Sequence, residues 1–183
     1  MCVTATPIIP VVNDAPDGWI QVTGLDVTAL AQYDAVNSAV LTFDSMMSGP
    51  AQMGRILQVQ VKEIVGSGTI QKKDLYVHLF SGTAPTTPTG NSAYDAPNTY
   101  WIATYLVRTE DYARLGALCE IATVNIPLAG ANLNDGVVFR SASGTTAGKI
   151  YAVVTAGEAI DYEATAELWV RVAVQEFTTT NAA

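Results

Sequence analysis

Charge is scarce in this chain. Only 14% of its 183 residues are Asp, Glu, Lys or Arg, against roughly 25% in an average soluble domain. A surface so poor in charge is covered by Thr, Ser, Asn and Gln, or part of it is buried against a partner. Basic residues are scarcer still: nine against seventeen acids, a net charge of −8. That argues against nucleic acid, whose binders carry a basic face. Lys72-Lys73 is the sole adjacent basic pair. Cysteine occurs twice, as Cys2 and Cys119, with no CxxC and no second Cys/His pair, so a structural zinc site is excluded. A free, reduced pair is the reading for these two thiols. No apolar run approaches the roughly 18 residues that span a bilayer. The N-terminus lacks a basic region followed by an apolar one, so no signal peptide is expected and the chain reads as a soluble product made in the cytoplasm.

What is there is apolar and β-patterned. Hydrophobic residues make up 49% of the chain, which excludes disorder throughout. The length fits one domain that buries roughly 70% of its unfolded surface. Residues 1–18 are Pro-rich. Pro7, Pro10 and Pro16 exclude helix and favour extended geometry, while Ile8, Ile9, Val11 and Val12 make the segment too apolar to float free. It reads as an extended arm lying along another surface, or as a first strand folded back on its own domain. A single domain is expected over 19–177, with a frayed tail at 178–183.

Period-2 alternation then dominates. Leu57, Val59 and Val61 alternate with Gln58, Gln60 and Lys62. Leu75, Val77 and Leu79 alternate with Tyr76, His78 and Phe80. Leu168, Val170, Val172 and Val174 alternate with Trp169, Arg171, Ala173 and Gln175. Each pattern predicts a strand with one face in a core. Weaker strands are expected over 39–43, 100–107, 120–126, 136–140 and 150–155, with an edge strand over 19–22. Eight or nine short strands predict an all-β antiparallel sandwich or barrel. Short helical turns are expected at 27–33 and at 109–115, the second capped by Thr109 and stopped by Gly116. Gly66-Ser67-Gly68 reads as a hairpin tip. Residues 81–99 form the longest loop, a length usually reserved for function or mobility.

Tests for chemistry come back empty. His78 is the sole histidine and sits among apolar residues, as a partly buried strand histidine does. No GxSxG marks a nucleophile elbow. Glu158, Asp161, Glu163 and Glu167 read as a solvated acidic face rather than a glycosidase pair. Asn132, Asn134, Asp135 and Gly136 read as a turn, because the string lacks the outer ligands of a calcium loop. Tyr100 and Trp101, beside the long loop, are the best candidates for a stacking or contact surface.

Three stretches carry a resemblance. Asp74-Leu75-Tyr76-Val77-His78-Leu79-Phe80 is similar to a DLxLxLF strand. Gly144-Thr145 and Ile150–Gly157 are similar to a Gly-Thr turn and a LYxxLxxxG strand. Leu168–Val174 is similar to a closing LTVRLxIL strand. Over roughly residues 33–177 the chain resembles the auxiliary capsid proteins of tailed phages, of the cement or decoration type. Two departures stand out: the Gly-Asp-x-x-Gly turn of that family lacks its glycines at 32–37, and 129–136 looks like extra turn sequence. The resemblance implies a jelly-roll-like β-sandwich on the outer surface of an icosahedral head, with the major capsid protein as partner. It implies no enzyme activity and no cofactor. A homo-oligomer is expected, a trimer before a dimer, since capsids offer three-fold sites. The candidate interface residues are Ile8, Ile9, Val11, Val12, Tyr100 and Trp101. The alternative is a glycan-binding or host-adhesion module displayed on the virion, built on Tyr100, Trp101 and the 81–99 loop.

Overall fold

The structure, a computed structural model, describes residues 18–50, 52–95, 100–125, 138–141, 144 and 148–177. Their alternating apolar residues can be buried only by pairing two sheets face to face, and that is the arrangement found. One sheet runs β1 (Ile20–Gln21), β10 (Ala166–Phe177), β3 (Met53–Val65), β7 (Cys119–Asn125), β6 (Tyr112–Gly116), with β8 (Val138–Arg140) pairing the start of β3. The other runs β2 (Leu41–Phe43), β9 (Ile150–Ala156), β4 (Leu75–Ser81), β5 (Trp101–Val107). All strand pairs are antiparallel. The fold is an all-β, jelly-roll-like sandwich. Among the described residues, no helix is long and apolar enough to cross a membrane.

The three strong alternations land as the periodicity requires. Leu75, Val77 and Leu79 of β4 face Leu168, Val170, Val172 and Val174 of β10 across one core, which Ile56, Val59 and Val61 of β3 complete. One register differs. Leu57 was expected inward, yet Ile56 is fully buried and Leu57 half-exposed. The pairing passes from Gln58↔Ala173 to Ile56↔Val174, leaving Leu57 as the extra residue of a bulge. A bulge flips the facing of everything before it, which local alternation cannot reveal.

Both expected helical turns are corrected. Residues 27–33 form no helix. Asp26 accepts from the Thr28 N–H (2.9 Å) and Asp34 from the Ala31 N–H (2.8 Å), local bonds that compete with helical ones. Leu30 meanwhile exchanges both backbone bonds with Ile160. At 109–115 only Thr109–Asp111 forms a single 3-10 turn, and the chain continues as β6. Tyr112 faces inward there, opposite Ala122. Burying an aromatic ring outweighs the helix-start signature.

Gly66-Ser67-Gly68 is likewise not a hairpin tip. β3 and β4 belong to different sheets, so residues 66–74 cross the end of the sandwich. Glu63, deeply buried, holds that crossing by accepting the Gln71 and Lys72 N–H groups at 2.7 and 3.2 Å.

Candidate binding face

The outward face of the small sheet is the most unusual surface of the molecule. Strand alternation should leave it to solvent, yet Phe80 of β4 and Tyr151 and Val153 of β9 are buried there, with Val40 and Tyr94 packed on them. Every residue of β9 is buried. Two segments supply the cover. Residues 33–36 run beside β9, with Tyr33 N–H bonded to Ala156 O, Ala156 N–H to Asp34 O, and Val36 N–H to Val154 O. The long loop is tied to that segment: Ala35 N–H bonds Ser92 O, Asn91 N–H bonds Ala35 O, Tyr94 N–H bonds Tyr33 O, and Gly90 N–H reaches Ser38 Oγ at 2.8 Å. Residues 82–95 are therefore a strapped cover, not a free loop.

A row of rings crosses this face. Tyr33 stacks on Tyr76 with centroids 5.8 Å apart, Tyr76 lies 6.3 Å from His78, and His78 lies 6.0 Å from Tyr94. Tyr76 and His78 share a face because they are two apart on β4. His78 is fully engaged: Nδ1 lies 2.9 Å from Thr104 Oγ1 and Nε2 lies 3.0 Å from Thr155 Oγ1. Burial pushes its imidazole down to about 4, so it is neutral near pH 7.

Trp101 joins the row through Thr104, to which its Nε1 donates at 3.2 Å. Trp101 and Tyr100 are 51% and 53% exposed, and Tyr33 is 52% exposed. Tyr33 and Tyr100 both have left-handed backbones, with φ of 73° and 63°, which is uncommon for bulky residues. Tyr100 lies against Gly82: a Cβ at 82 would sit 2.8 Å from its ring, and Gly82 itself has φ +87°. Only glycine admits the Tyr100 ring at that spot.

Trp101 is thus linked through Thr104 to the row of Tyr33, Tyr76, His78 and Tyr94, while Tyr100 lies against Gly82. Ile8, Ile9, Val11 and Val12 lie outside the described residues. Among the described residues, no group of three or more His, Cys, Asp and Glu side chains is placed to hold a metal ion. Asp161, Glu163 and Glu167 are exposed, while Glu158 is half-buried beside Lys73, 3.6 Å away. Cys119 is a free thiol.

The sequence reading missed a second polar cluster. Glu63 and Glu120 sit directly opposite each other on β3 and β7, 1% and 5% exposed. Lys72 Nζ lies 2.8 Å from Glu120 Oε1. Burial first, and the neighbouring Glu120 charge in smaller part, push the Glu63 carboxyl up. Burial also raises the phenols of Tyr112 and Tyr162 above their usual range. Strand period puts Glu63 on the inward face of Val59 and Val61, but only the sheet register shows that it meets Glu120 there.

The two resemblance stretches around β4 and β9 also meet. Asp74, just before β4, accepts from the Thr109 N–H and hydroxyl at 2.8 and 3.1 Å. Gly157, just after β9, donates its N–H to Asp74 O.

Neither a family model nor a curated protein matches the chain. Among solved structures, the chain is similar to one titled "Structure of infectious bursal disease virus Gx strain", at 11% identity and a TM-score of 0.18, over 96% of this chain and 46% of that one. A likeness of that size carries no argument about fold or function.

Proposed function

We propose that this protein is a non-enzymatic virion component, a cement or decoration protein that binds the outer surface of an icosahedral phage head. The observation that carries the reading is the small-sheet face, where Tyr33 and Trp101 stand more than half exposed beside a strapped loop, with the equally exposed Tyr100 next to Trp101 in the chain. Rigid aromatics on a scaffold are the groups that anchor protein interfaces. The lone histidine, both nitrogens on threonine hydroxyls, is poorly disposed as a general base. The net charge of −8 suits a position away from packaged DNA. The resemblance to tailed-phage auxiliary capsid proteins supports the same reading, with the major capsid protein and further copies of this chain as partners. A clip that binds only the assembled shell stabilises it by mass action.

The direct test is co-sedimentation with expanded heads emptied of DNA by nuclease. The protein should pellet with empty and full heads alike, and Trp101→Ala should weaken binding at least tenfold. Binding that is lost with the DNA, or equal binding to free DNA at physiological salt, would contradict the proposal.

The second reading, a glycan-binding or host-adhesion module, draws on the exposed faces of Tyr33 and Trp101, which could stack on sugar rings. Binding on a glycan array that Trp101→Ala abolishes, with no binding to heads, would favour it.

A further inference from the structure

The outward face of the large sheet carries a cluster of its own. Register sets Trp169 of β10 directly opposite Lys62 of β3, and Arg171 opposite Gln60. Residues two apart on a strand share a face, so these four side chains form one patch. Trp19, just before β1, joins them. The Lys62 ammonium lies 4.7 Å from the centre of the Trp19 ring and 4.9 Å from that of the Trp169 ring. The Arg171 guanidinium lies 4.9 Å from the Trp19 ring. Two cations thus share one indole, each held there by the negative face of the ring. Arg171 Nε donates to Gln60 Oε1 at 2.7 Å, and Gln60 Nε2 donates to Thr123 Oγ1 at 3.1 Å. Among the described residues no carboxylate forms an ion pair with Lys62. Glu167, the acid on the same face of β10, accepts instead from Trp169 Nε1 at 3.1 Å.

We infer that this patch binds an acidic polysaccharide, one whose sugar rings carry carboxylates. A carboxylate set against Lys62 and Arg171 relieves the repulsion between two close cations. Local charge selects an anionic polymer: the rest of a chain at −8 turns such a polymer away, so it is held where the cations gather. The side chains select a glycan over an acidic protein. Protein interfaces form round a buried apolar core, but the middle of this patch is Lys62, Arg171, Gln60 and Thr123, and Trp19 is already covered at 7% exposed. Ammonium, guanidinium, amide and hydroxyl are the groups that meet carboxylates and sugar hydroxyls. In a uronic acid the carboxylate is bonded directly to the ring. A sugar whose carboxylate meets Lys62 therefore keeps its ring beside Trp169, which is half-exposed and offers an amphipathic aromatic surface. The site is independent of the proposed function, because it lies on the opposite sheet from Trp101 and Tyr76.

Tryptophan fluorescence titration tests it, since two of the three tryptophans stand in the patch. The probe is polygalacturonate, with dextran as the neutral polymer, heparin as the sulfated one and polyglutamate as the acidic polypeptide. Wild type should bind polygalacturonate more tightly than the other three, and the binding should weaken as salt rises. Lys62→Gln should weaken it about tenfold or more, the loss expected of one charge-assisted contact. Lys73→Gln, which removes the same charge beside Glu158, should leave it unchanged. If Lys62→Gln fails to fold, the wild-type order of the four probes decides. No binding of polygalacturonate, equal or tighter binding of heparin or polyglutamate, or binding indifferent to Lys62→Gln would overturn the inference.

Discussion

Gly157 and Asp74 lock the end of β9 to the start of β4: the Gly157 N–H donates to Asp74 O at 2.7 Å, and a Cβ at 157 would lie 2.8 Å from that same oxygen. The contact is backbone to backbone, so no side chain can swing away to make room. Gly157→Ala should therefore cost about 2 kcal/mol, within the usual range for overpacking. Gly49→Ala, where a Cβ meets nothing within 4 Å, should change stability by no more than about 0.5 kcal/mol. Urea unfolding of the two variants checks this, and equal midpoints would contradict the close approach.

The bulge in β3 makes a second pair of variants diverge. Ile56 is fully buried and Leu57 only half so. Ile56→Ala should cost about 3 kcal/mol through lost burial and the cavity left behind. Leu57→Ala should cost about 1 kcal/mol or less. The simple alternation around Val59 and Val61 predicts the reverse order, so one denaturation experiment separates the two registers.

His78 sets an acid limb to stability. Its folded pKa is depressed to about 4 from an ordinary 6.5. The unfolded chain therefore binds a proton first as pH falls. The stability this group confers is complete above 6.5 and is lost as pH drops through 6.5 toward about 4. Partial exposure reduces the effect, which should amount to about 2 kcal/mol. His78→Gln should remove this limb. Melting temperatures from pH 7.5 to 4.5 that fall equally in both proteins would count against the buried neutral imidazole.

Glu63 works in the opposite direction. Its folded pKa is raised, chiefly by burial, so the stability it adds is complete below the ordinary value of 4.5 and is lost as pH rises through the folded value. Carbon-detected NMR titration should place its carboxyl midpoint above 4.5. Glu120→Gln should bring the midpoint down, because the Glu120 charge contributes to the rise. A midpoint at or below the ordinary value would mean that the Gln71 and Lys72 N–H bonds outweigh burial at this carboxyl.

Much of the sandwich was legible in the sequence because burial on one face writes itself as alternation. Leu75-Val77-Leu79 and Leu168-Val170-Val172-Val174 are of that kind. β6 was not, because Thr109, Glu110 and Asp111 carry a local helix signature while Tyr112 is fixed by packing on Ala122, a distant partner. Tyr100 and Trp101 were singled out from their place beside the long loop. The ring row was hidden: Tyr76 and His78 share a strand, but Tyr33 and Tyr94 arrive from segments whose pairing appears only in three dimensions. The Glu63–Glu120 pair was hidden for the same reason, since cross-strand register has no local trace.

The proposed cement role is tested most directly by a cryo-EM map of phage heads that carry this chain. The expected result is sandwich-shaped density on the outside of the expanded shell, with Tyr100 and Trp101 against the major capsid protein. Density inside the shell, density confined to the tail, or a head devoid of this protein would contradict it.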